Sequence, residues 1–184
     1  MIRIAAIVLV ALLATPVRAA DTSPVELNII LPLTGQAAFA GASEQHGFRA
    51  LESVVNAQGG INGRPLKLVY NDDGSLPQTA LQIANQLMAK NVQVFLGPAL
   101  ATECSSVVPI IEDRGPISWC FSPVARLPKP GSFAFLSGPS TVDQQPFFMR
   151  YFKSRGYHRV ALLISTDASG QSFDEGWERS TLPI

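Results

Sequence analysis

Short apolar runs alternate along the chain with longer segments of helical periodicity, and this alternation limits the fold more than any other feature. The first three runs are residues 25–31, 66–70 and 92–96. Between the first two, residues 41–56 carry apolar side chains at helical spacing. Alternating strands and helices predict βαβ units and a parallel sheet. Because the runs are mostly apolar throughout, we expect helices on both faces, that is, an α/β fold with a doubly wound parallel sheet.

The same pattern continues into the second half of the chain. The further predicted elements are helices at 77–90 and 102–113, strands at 117–121 and 133–136, a helix at 143–155, a strand at 159–165 and the start of a helix at 173–177. A unit that begins near Thr141 therefore contains one strand and parts of two helices. Since so few elements cannot bury their own faces, this second unit is predicted to be incomplete.

The first twenty residues have the pattern of a secretory signal rather than of a folded segment. Arg3 precedes an apolar run at 4–14, and small residues follow. The small-x-small rule favours cleavage after Ala19, with Ala20 as the second choice. The run is shorter than the roughly 20 residues that cross a bilayer, so a membrane anchor is the less favoured alternative. The mature chain is expected in an exported, oxidising compartment.

Composition excludes some partners and leaves the state of the two cysteines open. The chain has 14 basic and 14 acidic residues and is 47% hydrophobic, which is typical of a globular core and offers no electrostatic argument for nucleic acid. The spacing of Cys104 and Cys120 matches no metal site, and His46 and His158 lie far from them in sequence. A disulfide and two free thiols both remain open in an exported protein.

Four loops follow the predicted strands at the edge of the sheet where ligands bind in such folds, at residues 32–41, 71–76, 97–103 and 120–124. Loop chemistry by itself favours a capped turn that leaves Phe39 in the core. Thr102 is suited to cap the following helix, and its hydroxyl and the N–H groups after it could also hold a carboxylate.

Catalytic and cofactor interpretations find little support in the sequence. Cys104 has no histidine at a spacing that favours a nucleophile and base, and no nucleophile elbow, phosphate loop or metal-ligand pair is present. Asp72 and Asp73 are adjacent, so they are predicted to act as turn residues and not as an acid/base pair. We therefore predict no enzyme activity, no metal and no cofactor.

Four stretches together resemble the branched-chain amino-acid (leucine/isoleucine/valine) binding proteins of ABC transporters, which are type I periplasmic binding proteins. They are PLTGQAAFAG, NAQGGINGRPLKLVYNDDG, VFLGPALATECSSVVPIIEDRGPIS and TDASGQSF, and they occur in the family's order. The resemblance implies two α/β lobes that trap a small ligand, commonly a branched-chain amino acid or another carboxylate or amide. It also implies a periplasmic location and docking on a membrane permease.

The resemblance also implies five ligand-binding positions. Phe39 matches the aromatic residue that packs against the ligand. Ala101 stands where the family usually has the serine that holds the ligand carboxylate, and Thr102 next to it could substitute. Ser122 follows the fourth strand, and Ser169 stands where the family usually has a tyrosine. With both the serine and the tyrosine replaced, a carboxylate ligand other than leucine is plausible.

The family's two-lobe plan implies a division of this chain. A signal peptide would occupy 1–19, a first ligand-binding lobe 20–140, and the start of a second lobe 141–184. Relatives are roughly twice as long, so we interpret the chain as a truncated product or a fragment. The alternative function is a ligand-sensing receptor domain of the same fold.

Overall fold

The computed structural model describes residues 22–124 and 127–180, so the predicted signal peptide lies outside the described residues. Five strands form one sheet: β1 (Val25–Leu31), β2 (Leu66–Asp72), β3 (Val94–Leu96), β4 (Ile117–Cys120) and β5 (Ala134–Leu136). The helices are α1 (Ala38–Ala57), α2 (Pro77–Ala89), α3 (Ala101–Ile111), α4 (Thr141–Ser154) and α5 (Ala168–Arg179).

The strands are all parallel and lie in the order β2-β1-β3-β4-β5. In the register of the central strand, Ile29 pairs with Tyr70 on one side and with Leu96 on the other. A parallel pair needs a crossover connection, and α1, α2 and α3 supply the crossovers between successive strands. The predicted parallel α/β sheet is therefore confirmed.

Helices cover both faces of β1, which is why its last three residues, Ile29 to Leu31, are apolar and fully buried. On one face, Ile30 and Phe95 pack against α2 and α3 in a core whose central residues are fully buried. On the other face, Ile29 and Leu31 pack with Leu68 of β2, and α1 closes this second core. Burying apolar side chains on both faces of one strand is the main contribution that the sheet makes to stability.

α1 covers only β1 and β2, so β4 and β5 are open on that face. Ile117, Trp119 and Phe135 project from this part of the sheet, and Trp119 is 47% exposed. The rings of Trp119 and Phe135 stack with centroids 5.8 Å apart. The described residues therefore present an aromatic sheet face that no helix among them covers.

Gly97 allows β3 to end in close contact with β1. Its backbone φ is +88°, which strongly favours glycine, and a Cβ atom at this position would overlap the backbone carbonyl of Ile30. The side chain of Ser118 donates a hydrogen bond of 2.7 Å to the Gly97 carbonyl. This glycine therefore fixes where the chain leaves the sheet toward α3.

The second unit differs from its prediction in two respects. Residues 159–165 form no strand, because no strand in the described part of the chain lies beside them to complete a ladder, and Leu163 is fully exposed. The last helix begins at Ala168 and not near Phe173. The side chain of Asp167 explains this earlier start, since its carboxylate accepts hydrogen bonds from the N–H groups of Ser169 and Gly170 and caps the helix.

Two helices form most of that unit, and they pack on each other through aromatic side chains. Phe148 of α4 meets Phe173 of α5, and Phe152 meets Trp177. α5 also contacts α3, so it adjoins the helices of the sheet. Among residues 22–124 and 127–180, no helix combines the length and the apolar character that crossing a membrane requires.

Cys104 and Cys120 form a disulfide, which settles the alternative that the sequence left open. Their Cα atoms are 6.0 Å apart, and both side chains are buried beside Val124. The bond joins the first turn of α3 to the end of β4, at the edge of the sheet where strands end. It therefore connects two of the loops predicted to bind ligand.

Replacing both cysteines with alanine is expected to lower the free energy of unfolding. The bond joins residues 16 apart, and closing a loop of that length in the unfolded chain contributes about 3 kcal/mol. Urea unfolding with and without dithiothreitol measures this contribution of the disulfide. The reductant should destabilise the wild type and leave the stability of the double variant unchanged. A wild type that is indifferent to the reductant would contradict the prediction.

Candidate functional site

The carboxyl ends of the strands define the candidate site. The chain moves from β1 outward to β2 and then returns to β3 on the other side of β1. The loops after β1 and β3 consequently run to opposite faces of the sheet, which leaves a crevice between them. The predicted loops at 32–41 and 97–103 both lie at this crevice.

Asp72 organises the loop after β1. Its Oδ1 accepts hydrogen bonds from the N–H groups of Leu33, Thr34 and Gly74 at 3.0, 3.1 and 2.9 Å, and its Oδ2 accepts one from the Thr34 hydroxyl at 2.7 Å. Partial burial opposes ionisation, but these four hydrogen bonds outweigh it and lower the pKa of Asp72. The predicted turn role of this residue is confirmed.

Phe39 lies in the first turn of α1 and is 87% exposed. The expectation from loop chemistry that this ring lies in the core is therefore wrong. The core position beside the loop is taken by Gly41, where a Cβ atom would overlap the carbonyl of Pro32. A ring so exposed next to the crevice is free to contact a ligand, which is the role that the family resemblance implies.

The first turn of α3 presents Ala101 and Thr102 to the crevice side of the sheet. The residue that precedes the helix is Leu100, so the prediction that Thr102 caps the helix is wrong. The Glu103 carboxylate instead accepts a hydrogen bond of 3.2 Å from the Leu100 N–H. The N–H groups in the first turn have no acceptor within the helix, and with the helix dipole they favour an anionic group at this end.

Ser122 connects the loop after β4 to the loop after β3. Its hydroxyl donates a hydrogen bond of 2.7 Å to the carbonyl of Ala99, and the Phe121 N–H donates one of 3.0 Å to Pro98. The hydroxyl proton is therefore already engaged, and a ligand can use only the oxygen as an acceptor. Ser122 holds the crevice loops together in this structure.

Ser169 lies apart from the other four predicted residues. It stands in the first turn of α5, and its N–H donates to the capping carboxylate of Asp167 at 3.0 Å. Within the described ranges no hydrogen bond joins it to the loops of the sheet. The topology thus brings Phe39, Ala101, Thr102 and Ser122 to one edge of the sheet and leaves Ser169 outside it.

Three acidic side chains behind the crevice were not predicted from the sequence. Asp73 and Glu103 are fully buried, and Glu44 of α1 is half-buried near them. Burial, followed by the charge of Asp73, raises the pKa of Glu103 to about 8. Burial also raises the pKa values of Asp73 and Glu44. Any two of these residues are more than 25 positions apart in the sequence, so no local pattern predicted that they would cluster. Glu103 also resembled an ordinary acidic residue in the first turn of a helix.

This acidic group does not resemble a metal site. The described residues contain no set of three histidine, cysteine, aspartate or glutamate side chains placed to hold a metal ion. What the crevice does offer is the N–H groups at the N-terminus of α3 and the exposed aromatic ring of Phe39. Such a set suits a small organic ligand with an anionic end.

A protein-family model described as "Periplasmic binding protein" matches residues 24–181. The match covers most of the chain and includes every strand and helix of the structure. The chain therefore belongs to the periplasmic binding protein family, which is a family of solute-binding proteins and not of enzymes.

Curated and solved relatives agree with this assignment. Leu/Ile/Val-binding protein homolog 2 of Brucella abortus is 36% identical over 66 residues, which are 36% of this chain and 18% of the relative. The extracellular ligand-binding receptor of Verminephrobacter eiseniae superposes with a TM-score of 0.72 at 19% identity, over 87% of this chain and 47% of that chain.

A third similar protein was solved with its ligand. The branched-chain amino acid transporter substrate binding protein LivJ of Streptococcus pneumoniae, in complex with isoleucine, superposes with a TM-score of 0.67 at 18% identity. The superposition covers 85% of this chain and 46% of that chain. At these identities the solved structures establish the fold, which is that of a type I periplasmic binding protein lobe. The chain spans less than half the length of each of the three.

Proposed function

We propose that this chain is the solute-binding component of an ABC transporter, and that it binds a branched-chain amino acid or a related small carboxylate. The observation that carries the proposal is the N-terminus of α3, which faces the crevice of a periplasmic binding protein fold with N–H groups that have no acceptor within the helix. The names of the matched relatives, which include leucine, isoleucine and valine binding, support the ligand class.

In the proposed complex, the ligand carboxylate lies at the first turn of α3. The N–H groups of Ala101 and Thr102 and the hydroxyl of Thr102 donate to it, and the helix dipole stabilises its charge. Since Ala101 has no hydroxyl, Thr102 supplies the side-chain hydrogen bond. Phe39 packs against the aliphatic part of the ligand from α1, while Ser122 keeps the adjacent loop in place.

The remaining assignments follow from the same function. Ser169 belongs to the opposite side of the ligand and contributes a hydroxyl where relatives carry a larger side chain. The chain performs no chemistry on its ligand, acts in the periplasm after removal of residues 1–19, and delivers the ligand to a membrane permease. Residues 20–140 form the first lobe and 141–184 the start of the second.

Titration of the purified chain with L-isoleucine, followed by amide NMR, tests the proposal. We expect the largest shifts at the amides of residues 101–103, with a dissociation constant of about 1 mM, because no second sheet covers the crevice in the described residues. Isoleucinol, which lacks the carboxylate, is the matched ligand and should leave these amides unshifted. Equal shifts with both compounds, or none with several aliphatic amino acids at about 10 mM, would overturn the proposal.

Thr102→Val should weaken isoleucine binding about tenfold, which is the loss of one hydrogen bond to a charged group. Valine keeps the shape of the side chain, so the helix should remain intact. Ser105→Ala is the control, because Ser105 lies one turn further along α3 and its hydroxyl bonds back to the Ala101 carbonyl. An affinity that Thr102→Val leaves unchanged would remove Thr102 from the site.

A further inference from the structure

Two buried carboxyl groups behind the crevice each have one oxygen without a donor. The Glu103 Oε2 accepts from the Leu100 N–H, and the Asp73 Oδ1 accepts from the Ser75 N–H at 2.9 Å. The other oxygens, Oε1 of Glu103 and Oδ2 of Asp73, are fully buried and receive no N–H or O–H group from the described residues. A buried acceptor without a partner is costly, so this arrangement needs an explanation.

The explanation lies in the position of the two carboxyl groups, which are close enough to share a hydrogen bond. Two ionised carboxylates cannot form such a bond, because neither has a proton and their charges repel. One proton between the two groups supplies the missing donor for both orphan oxygens and halves the buried charge.

We propose that Asp73 and Glu103 share a single buried proton, and that this proton fastens the N-terminus of α3 to the loop between β2 and α2. Asp73 lies in that loop, and Glu103 lies in the first turn of α3. The bond therefore joins the two segments behind the crevice. Alkaline pH removes the proton, and the resulting repulsion loosens this edge of the sheet.

The charges around the pair favour retention of the proton. Glu44 faces it from α1, and Asp72 precedes Asp73 at the end of β2. Both neighbours are acidic, so a second negative charge on the pair would meet repulsion from two sides. The Oε2 of Glu44 is itself buried without a donor, which makes the surroundings still less able to accept charge.

The sign of the pH dependence follows from the direction of the pKa shift. Burial raises the pKa of Glu103 from 4.5 in the unfolded chain to about 8 in the folded protein. The folded state thus binds one more proton than the unfolded state between these values. The stabilisation is complete below the lower pKa and is lost as the pH rises through the higher one. It does not depend on the proposed ligand.

Unfolding temperatures of the purified chain, measured between about pH 5 and pH 9, test the proposal. Glu103→Gln places an amide N–H₂ group where the shared proton lies and keeps the size of the side chain. Over this pH range, we expect the unfolding temperature of the wild type to fall by about 5 °C more than that of this variant. If Glu103→Gln does not fold, Asp73→Asn takes its place. Its amide group donates from the Asp73 side to Glu103, and its unfolding temperature should show the same reduced dependence on pH. The control is Glu26→Gln, which removes an exposed carboxylate of β1 and should keep the wild-type slope.

Carboxyl NMR of the unmutated chain gives an independent measurement. One glutamate should have a pKa at least about two pH units above the ordinary value of 4.5. The proposal is overturned if every Asp and Glu carboxyl titrates below about pH 5.5. It is also overturned if Glu103→Gln keeps the wild-type slope, or if calcium stabilises the wild type at alkaline pH and not the variant, since a cation would then take the place of the proton.

Discussion

Phe95→Ala is expected to lower the free energy of unfolding by about 4 kcal/mol. The ring lies on β3, is fully buried and packs against α2 and α3 in the larger of the two principal cores. Its removal takes apolar contact from both helices and leaves a cavity between helices and strand that only partly closes. Because a domain of this size is stable by about 5–15 kcal/mol, the variant should lose about a quarter or more of its total stability.

The control for this prediction is the same substitution on the open face of the sheet. Phe135 lies on β5, is 44% exposed and stacks on Trp119. Phe135→Ala should cost about 1 kcal/mol, since much of the ring already contacts water. Urea unfolding of both variants gives the comparison. Equal losses in the free energy of unfolding would contradict the placement of Phe95 in the core around β3.

Gly97→Ala is expected to cost about 3 kcal/mol or more. Two effects add at this position. Alanine is disfavoured at the φ of +88°, and its Cβ atom would overlap the carbonyl of Ile30 in the neighbouring strand. Relief of the overlap would require β1 and β3 to separate where the crevice begins, so isoleucine binding should be lost together with stability.

Gly63→Ala separates these two effects. Gly63 has a similar φ of +79°, but a Cβ atom there would meet nothing within 4 Å. Its substitution should therefore cost only the backbone preference, about 1 kcal/mol. Thermal unfolding of the two variants measures the difference, and a Gly63→Ala loss as large as that of Gly97→Ala would contradict the role given to the Ile30 contact.

The sequence predicted the first lobe well, because apolar periodicity and turn residues act locally. The strand at 25–31 has the bounds that were predicted, and the helix predicted at 77–90 ends one residue earlier. The other elements of this lobe differ from prediction by a few residues at their ends. The alternation of strands and helices along the chain then predicted that the sheet is parallel, since parallel strands need crossover connections.

The interior of the candidate site was harder to predict, because it depends on distances between segments. Nothing near Glu103 in sequence indicates that Asp73 lies beside it behind the crevice, and only the folded loops bring the two together. The position of Phe39 was predicted wrongly for a related reason. An apolar ring in a loop is expected to be buried, but in the fold Gly41 occupies the core position beside this loop. The five ligand-binding positions remain predictions.

The strand at 159–165 failed for a different physical reason. Its composition is that of a strand, but a β-strand forms only when it pairs with another strand, and no described strand pairs with this segment. Helices α4 and α5 were predicted nearby because a helix satisfies its own backbone groups. A single chain segment therefore reveals a helix more reliably than it reveals a strand.

The order of the strands also has a consequence for synthesis on the ribosome. β1 is made first and lies between β2 and β3, and β4 and β5 then follow outward along one side. Each strand after β1 thus has one neighbour already available when it emerges. The sheet can grow vectorially from its first strand, which shortens the time that its edges are exposed to aggregation during translation.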